Sequence, residues 1–162
     1  MKIIKFLLTV LLSLTLMIAC GCTASQNTES YTAEFPYDPQ QYMLFLNKEV
    51  QGITNHLTTC IMAVTKSVNG DYPPEQALTN IHDCLTLLWE AQEAVKSMRP
   101  PTAYTNTRDS LLEAIQDTET NCLACAEKLQ EENPDADRLL ELAELLQGNF
   151  ISLTSSVNAY WK

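Results

Sequence analysis

Apolar and small residues recur along this chain in alternating steps of four and three, and four such stripes follow one another. The first runs Leu46, Val50, Ile53, Leu57, Cys60, Val64 and Val68, and the second Ala77, Ile81, Cys84, Leu88, Ala91, Val95 and Met98. The third is Tyr104, Arg108, Leu111, Ile115, Thr118, Cys122, Cys125 and Leu129, widened by Leu112 and Ala126. The fourth is Leu139, Ala143, Leu146, Phe150, Leu153, Val157 and Tyr160. At 3.6 residues per turn this spacing lines one face of a helix, so each stretch predicts an amphipathic helix with a buried seam. No segment alternates with the period of two that a half-buried strand requires.

Start and stop signals separate the stripes. Asp38-Pro39-Gln40-Gln41 offers a capping carboxylate, a proline at the first helical position and a capping-box glutamine, and Gly70 is placed as the C-terminal stop. Pro73-Pro74-Glu75 opens the second helix and Pro100-Pro101 closes it, because proline disfavours helix in the residue before it. The third helix starts between Thr102 and Asn106, and Asn133-Pro134-Asp135 repeats the start signal, with Asn133 as cap. Gly148 falls inside the last helix and weakens it by about 1 kcal/mol relative to Ala, leaving room for a kink. Connections this short make neighbouring helices antiparallel, so the expected fold is all-α, an up-down-up-down four-helix bundle over residues 38–162.

Ahead of the bundle the pattern changes. Lys2 and Lys5 precede an apolar run from Phe6 to Ile18, which is shorter than the roughly 20 residues a membrane-spanning helix needs and suits an export signal. The run ends at Ala19-Cys20-Gly21-Cys22. These residues resemble the lipobox of bacterial lipoproteins, in the frame Met17-Ile18-Ala19-Cys20 or the frame Ala19-Cys20-Gly21-Cys22. The resemblance implies a diacylglyceryl thioether on Cys20, with Cys22 as the alternative, and a mature chain that begins there. Residues 1–19 are then the signal peptide. Residues 20–37, polar from Ser25 to Ser30, form a tether in which Tyr31, Phe35 and Tyr37 are the sizeable apolar groups. The run Met98-Arg99-Pro100-Pro101-Thr102-Ala103-Tyr104, with Leu111, Leu112 and Ala114 downstream, resembles helical lipoproteins of Gram-positive bacteria and implies no activity.

Charge narrows the partners. The chain carries 10 basic and 20 acidic residues, and loss of Lys2 and Lys5 with the leader makes the balance more negative still. Such a surface repels nucleic acid, so no nucleic-acid role is expected. The expected associations are the membrane, through the N-terminal lipid on the extracytoplasmic face, and an envelope protein or small ligand.

The chemistry of interest is Cys60, Cys84, Cys122 and Cys125, all at seam positions. Cys60 and Cys84 are equidistant from the turn near residue 72 and so face each other across the first hairpin. Cys122 and Cys125 are three apart and share a helix face. Counted from the Pro100 corner at ~1.5 Å per residue, the second pair lies one to two turns beyond the first. Export to an oxidising compartment favours the disulfides Cys60–Cys84 and Cys122–Cys125, with a bond from Cys122 or Cys125 to another helix as the other pairing. Two alternatives stay open. One is a copper(I) or zinc site on the four thiolates, with His56 or His82 nearby, and the other is burial of the thiols as small hydrophobes.

Cys122-Leu123-Ala124-Cys125 lies in mid-helix, away from the helix N-terminus that low-pKa redox motifs use. Glu90, Glu93, Glu113, Glu119, Glu141 and Glu144 read as solvated faces, since the Glu-x-x-His motifs of carboxylate di-metal bundles are missing from the sequence. There is no Gly-rich phosphate loop, no Gly-x-Ser-x-Gly and no His-Glu-x-x-His in the chain. Trp89, beside Leu88, is expected to pack at a helix boundary, and Tyr160 and Trp161 to cap the end of the core. The expected protein is a lipid-anchored, non-catalytic binding or interaction module without a cofactor, or alternatively a metal-handling lipoprotein.

Overall fold

A computed structural model describes residues 38–158, together with the backbone of Ala33–Glu34. Four long helices account for most of it: α1 (Pro39–Val68), α2 (Pro74–Ser97), α3 (Thr105–Leu129) and α4 (Ala136–Asn158). A 3-10 turn, Thr102–Tyr104, leads into α3. The helices close a ring, in which α1 packs on α2 and α4, and α3 packs on the same two helices. No helix among the described residues is long and apolar enough to cross a membrane.

The ends form as local chemistry dictates. The Asp38 carboxylate accepts from Gln40 N at 2.9 Å and satisfies one of the amides that α1 leaves without an intrahelical partner. At the other end Gly70 takes φ +77°, a conformation costly for a residue with a Cβ. That turn lets Asp71 N reach Lys66 O at 2.9 Å and Gly70 N reach Ser67 O at 3.1 Å, the paired bonds of a Schellman stop. The start of α4 differs from the expectation. Asp135 caps it instead of Asn133, its carboxylate accepting from Arg138 N at 3.1 Å, and the helix begins at Ala136. An aspartate directly before the first helical residue reaches the third amide, whereas Asn133 stands two places too early. The helix continues through Gly148 to Asn158.

The seams meet in one core. Leu46, Ile53, Leu57, Ile81, Leu88, Leu111, Ile115, Leu146 and Leu153 are buried, each contributing about 1.5–3 kcal/mol by withdrawal from water. Tyr42, Met43, Leu85, Ala114 and Leu142, which flank the stripes, are buried as well. Tyr42 packs tilted against both Phe45 and Tyr104, with ring centroids 6.1 Å apart in each pair. The aromatic that closes the corner before α3 therefore rests on the first turns of α1. Tyr160 and Trp161 lie outside the described residues.

Two expectations are corrected. Trp89 stands in the middle of α2, is about half exposed, and donates through Nε1 to Glu119 Oε1 at 2.8 Å. An indole N–H needs a partner, and a carboxylate on the neighbouring helix supplies one at the surface. In addition, Ala33–Glu34 (β1), placed in the tether, pairs in parallel with Met98–Arg99 (β2), Ala33 opposite Met98 and Glu34 opposite Arg99. Arg99 precedes Pro100 and is pushed toward extended backbone, which leaves a short edge free to pair. Two residues are too few for an alternation to show in the sequence.

Candidate functional site

The four candidate cysteines of the bundle come from three helices. Cys60 is on α1, Cys84 on α2, and Cys122 and Cys125 on α3. All four are fully buried, and all four are free thiols. The expected bonds Cys60–Cys84 and Cys122–Cys125 are not formed, and within α3 the reason is geometric. Residues three apart on a helix share a face but stand about 5–6 Å apart at Cβ, beyond the spacing of about 3.8 Å that a disulfide needs.

Cys60, Cys84 and Cys122 lie close enough to influence one another instead. Cys60 donates to Asn80 O at 2.9 Å, the carbonyl one turn before Cys84. Cys84 lies near both Cys122 and Cys60. The offset expected between Cys84 and Cys122 is therefore absent. The α2–α3 pairs Trp89–Glu119 and Gln92–Gln116 are centred on Tyr104, not on Pro100. The extended Met98–Arg99 and the 3-10 turn move the centre of the corner four residues along the chain. That shift brings Cys122 and Cys125 to either side of the level of Cys84.

Electrostatics divides the cluster. The neighbouring Cys122 thiol and then the Cys60 thiol pull the Cys84 pKa below the ordinary thiol value; burial opposes them and His56 adds to them. Cys60 and Cys122 are pushed up, first by Cys84 beside them and then by burial. Burial pushes Cys125 up to about 12, with a smaller opposing pull from Arg138. Within the cluster Cys84 is the thiol that ionises first. With no sulfur open to solvent, it cannot act as a nucleophile until the helices part.

His56 and His82 are exposed on α1 and α2. His56 Nδ1 lies 3.1 Å from Gly52 O in its own helix. Among the described residues no three His, Cys, Asp or Glu side chains are arranged to hold a metal ion. Cys20 and Cys22, the lipid-attachment candidates, lie outside the described residues.

A surface groove elsewhere contains none of these cysteines. It runs between α3 and α4, has a volume of about 520 Å³ and is lined by hydroxyl, amide and carboxylate side chains. A smaller groove between α1 and α4 is bordered by Ile61, Met62 and Phe150. The sequence reading missed the α3–α4 groove because its lining, Ser110 and Ser152 among it, falls between the seams, where hydrophilic residues carry no periodic signal. No known protein family, curated protein or solved structure matches the chain.

Proposed function

We propose that this protein is a lipid-anchored, extracytoplasmic helical bundle that works as a binding or interaction module, without catalysis. The observation that carries this reading is the separation of reactivity from access. The thiols are sealed in the core, while the surface grooves present hydroxyl, amide, carboxylate and aliphatic groups. A protein so built recognises through its surface and spends its interior on stability. The anchor is Cys20, or Cys22 in the second frame, carrying acyl chains at the end of a leader with two lysines and a short apolar run. Two acyl chains hold a membrane far better than one, at ~0.8 kcal/mol per buried methylene. Metabolic labelling with a palmitate analogue tests this: label is expected on the wild type and lost when Cys20 and Cys22 are both changed to Ala. Incorporation that persists in the double variant refutes attachment at either cysteine.

Within the bundle the helices run up-down-up-down, each antiparallel to the next. Supporting this are the short connections and the cross-pairs between α2 and α3, in which a later residue of α2 meets an earlier one of α3. Spin labels at Gln40 and Lys96 should then read ~15–20 Å, whereas a parallel α1 and α2 would separate them by ~40 Å.

The metal-handling alternative rests on the four bundle thiols that the sequence places on inward seams, although among the described residues no three of them are arranged around an ion. Mass spectrometry of unreduced, native protein decides it. The binding-module reading expects four alkylatable bundle thiols after unfolding and no bound metal, and stoichiometric copper or zinc would reverse the order of the two readings.

A further inference from the structure

Asn69 is the one asparagine of the chain that precedes a glycine. Its side-chain carbon Cγ and the backbone nitrogen of Gly70 are the two ends of the stretch Cγ–Cβ–Cα–C–N, so a bond between them closes a five-membered imide ring. A Cβ on the following residue crowds that approach, and glycine has none. The other asparagines among the described residues stand inside helices, apart from Asn133. Asn133 precedes Pro134, whose nitrogen carries no hydrogen to give up.

Position favours the reaction and conformation restrains it. Asn69 and Gly70 are both exposed, and a Cβ added at Gly70 would meet nothing within 4 Å, so water and base reach the turn. Asn69 has ψ −3°, however, which sets Gly70 N in line with the nitrogen of Asn69 itself. Ring closure needs that nitrogen beside Cβ, roughly a third of a turn away about the Cα–C bond. The main-chain bonds hold it there: Gly70 N donates to Ser67 O at 3.1 Å, Asn69 N to Thr65 O at 3.2 Å, and Asp71 N to Lys66 O at 2.9 Å. Gly70 N can attack only when this helix stop opens. Helix ends are where opening costs least.

We propose that Asn69–Gly70 is a site of spontaneous modification, an intramolecular amide-to-acid conversion gated by opening of the α1 stop. In the open turn Gly70 N gives its proton to hydroxide and bonds to Asn69 Cγ, and the side-chain nitrogen takes a proton from water and leaves as ammonia. A second water then opens the imide. Cleavage between Cγ and nitrogen leaves aspartate at position 69, and cleavage between the main-chain carbonyl carbon and nitrogen leaves isoaspartate. In sum one water enters and one ammonia leaves, with nothing oxidised or reduced. Either product puts a carboxylate at the carbonyl end of α1, where the helix dipole disfavours negative charge, two residues from Asp71. Isoaspartate also lengthens the main chain by a methylene, which takes Gly70 N and Asp71 N out of register with Ser67 O and Lys66 O. Loss of ammonia makes the change one-way, so the modified turn accumulates with the age of the molecule.

Peptide mapping by mass spectrometry tests it, on the full chain in detergent micelles at mildly alkaline pH and on the same chain in denaturant. Both should convert Asn69 to a mixture of aspartate and isoaspartate, ahead of every other described asparagine. The folded chain should convert at least tenfold more slowly, the factor that about 1.4 kcal/mol of opening imposes. Gly70→Ala separates the chemistry from the gate. Its Cβ should slow ring closure several-fold in denaturant, while strain at φ +77° loosens the stop, so the folded and unfolded rates should draw closer together. Absence of product at Asn69 in denaturant, or in the folded chain after many half-times of the denatured one, would overturn the site. Equal rates in folded and unfolded wild type, or a ratio as wide in Gly70→Ala as in the wild type, would overturn the gate.

Discussion

Cys125 shows what the core does to a titratable group. An unfolded thiol has a pKa near 8.5, and burial in this fold raises Cys125 to about 12. The folded state therefore holds the proton more tightly than the unfolded state. Stability from this site is complete below about pH 8.5 and is lost progressively as pH rises toward 12. Thermal melts from pH 7 to 11 should show a falling midpoint above pH 9, and Cys125→Ala should flatten that fall. An unchanged slope in the variant would remove Cys125 as a cause. A thiol-reactive chromophore should likewise find none of the four bundle cysteines at neutral pH in native protein and all four in denaturant.

Two glycines give opposite expectations at the same scale. Gly70→Ala forces a Cβ into φ +77° and should destabilise by about 1–2 kcal/mol, although nothing within 4 Å of the added atom obstructs it. Gly148→Ala meets open space in mid-helix and should stabilise by about 1 kcal/mol. Chemical denaturation of both variants checks the signs. Gly70 was legible as a stop because only a turn needs glycine there. That the helix runs on through Gly148 was not legible from the glycine alone.

At the scale of elements, the four seams could be read almost residue by residue. Burial is periodic and the helix period is fixed, so Leu46 to Val64 and Ala77 to Val95 were set by spacing alone. What spacing could not supply was the corner between α2 and α3. Seven residues, Met98–Tyr104, combine an extended pair, two prolines and a 3-10 turn, and their geometry decides the register of everything after them. The expected offset of Cys122 from Cys84 failed there, and so did the reading of Ala33–Glu34 as plain tether. The cap of α4 was misplaced for a related reason: Asn133, Pro134 and Asp135 offer two capping side chains, and only the geometry of the turn selects between them. Changing Asp135 to Ala should cost about 1 kcal/mol, and Asn133→Ala only a few tenths, by thermal melt.

For the whole molecule, the decisive property is that α1, α2, α3 and α4 close on one apolar core. Leu111 is fully buried in it, so Leu111→Ala should cost about 2–5 kcal/mol. Denaturant unfolding should show a lower midpoint with a similar slope; a loss under 1 kcal/mol would mean that the core is loosely packed there. The candidate sites were unevenly visible at this scale. Cysteines announce themselves in a sequence, and their inward positions followed from the stripes. The α3–α4 groove did not, because a groove between helices exists only once the helices have met.

The pairing of Ala33–Glu34 with Met98–Arg99 carries a mechanical meaning. A chain held at its leading end transmits any pull through residues 33–34 before residue 38. The load is then shared with the α2–α3 corner while α1 is still wound. A pull applied there is expected to open this two-residue pairing before it unwinds the helices behind it.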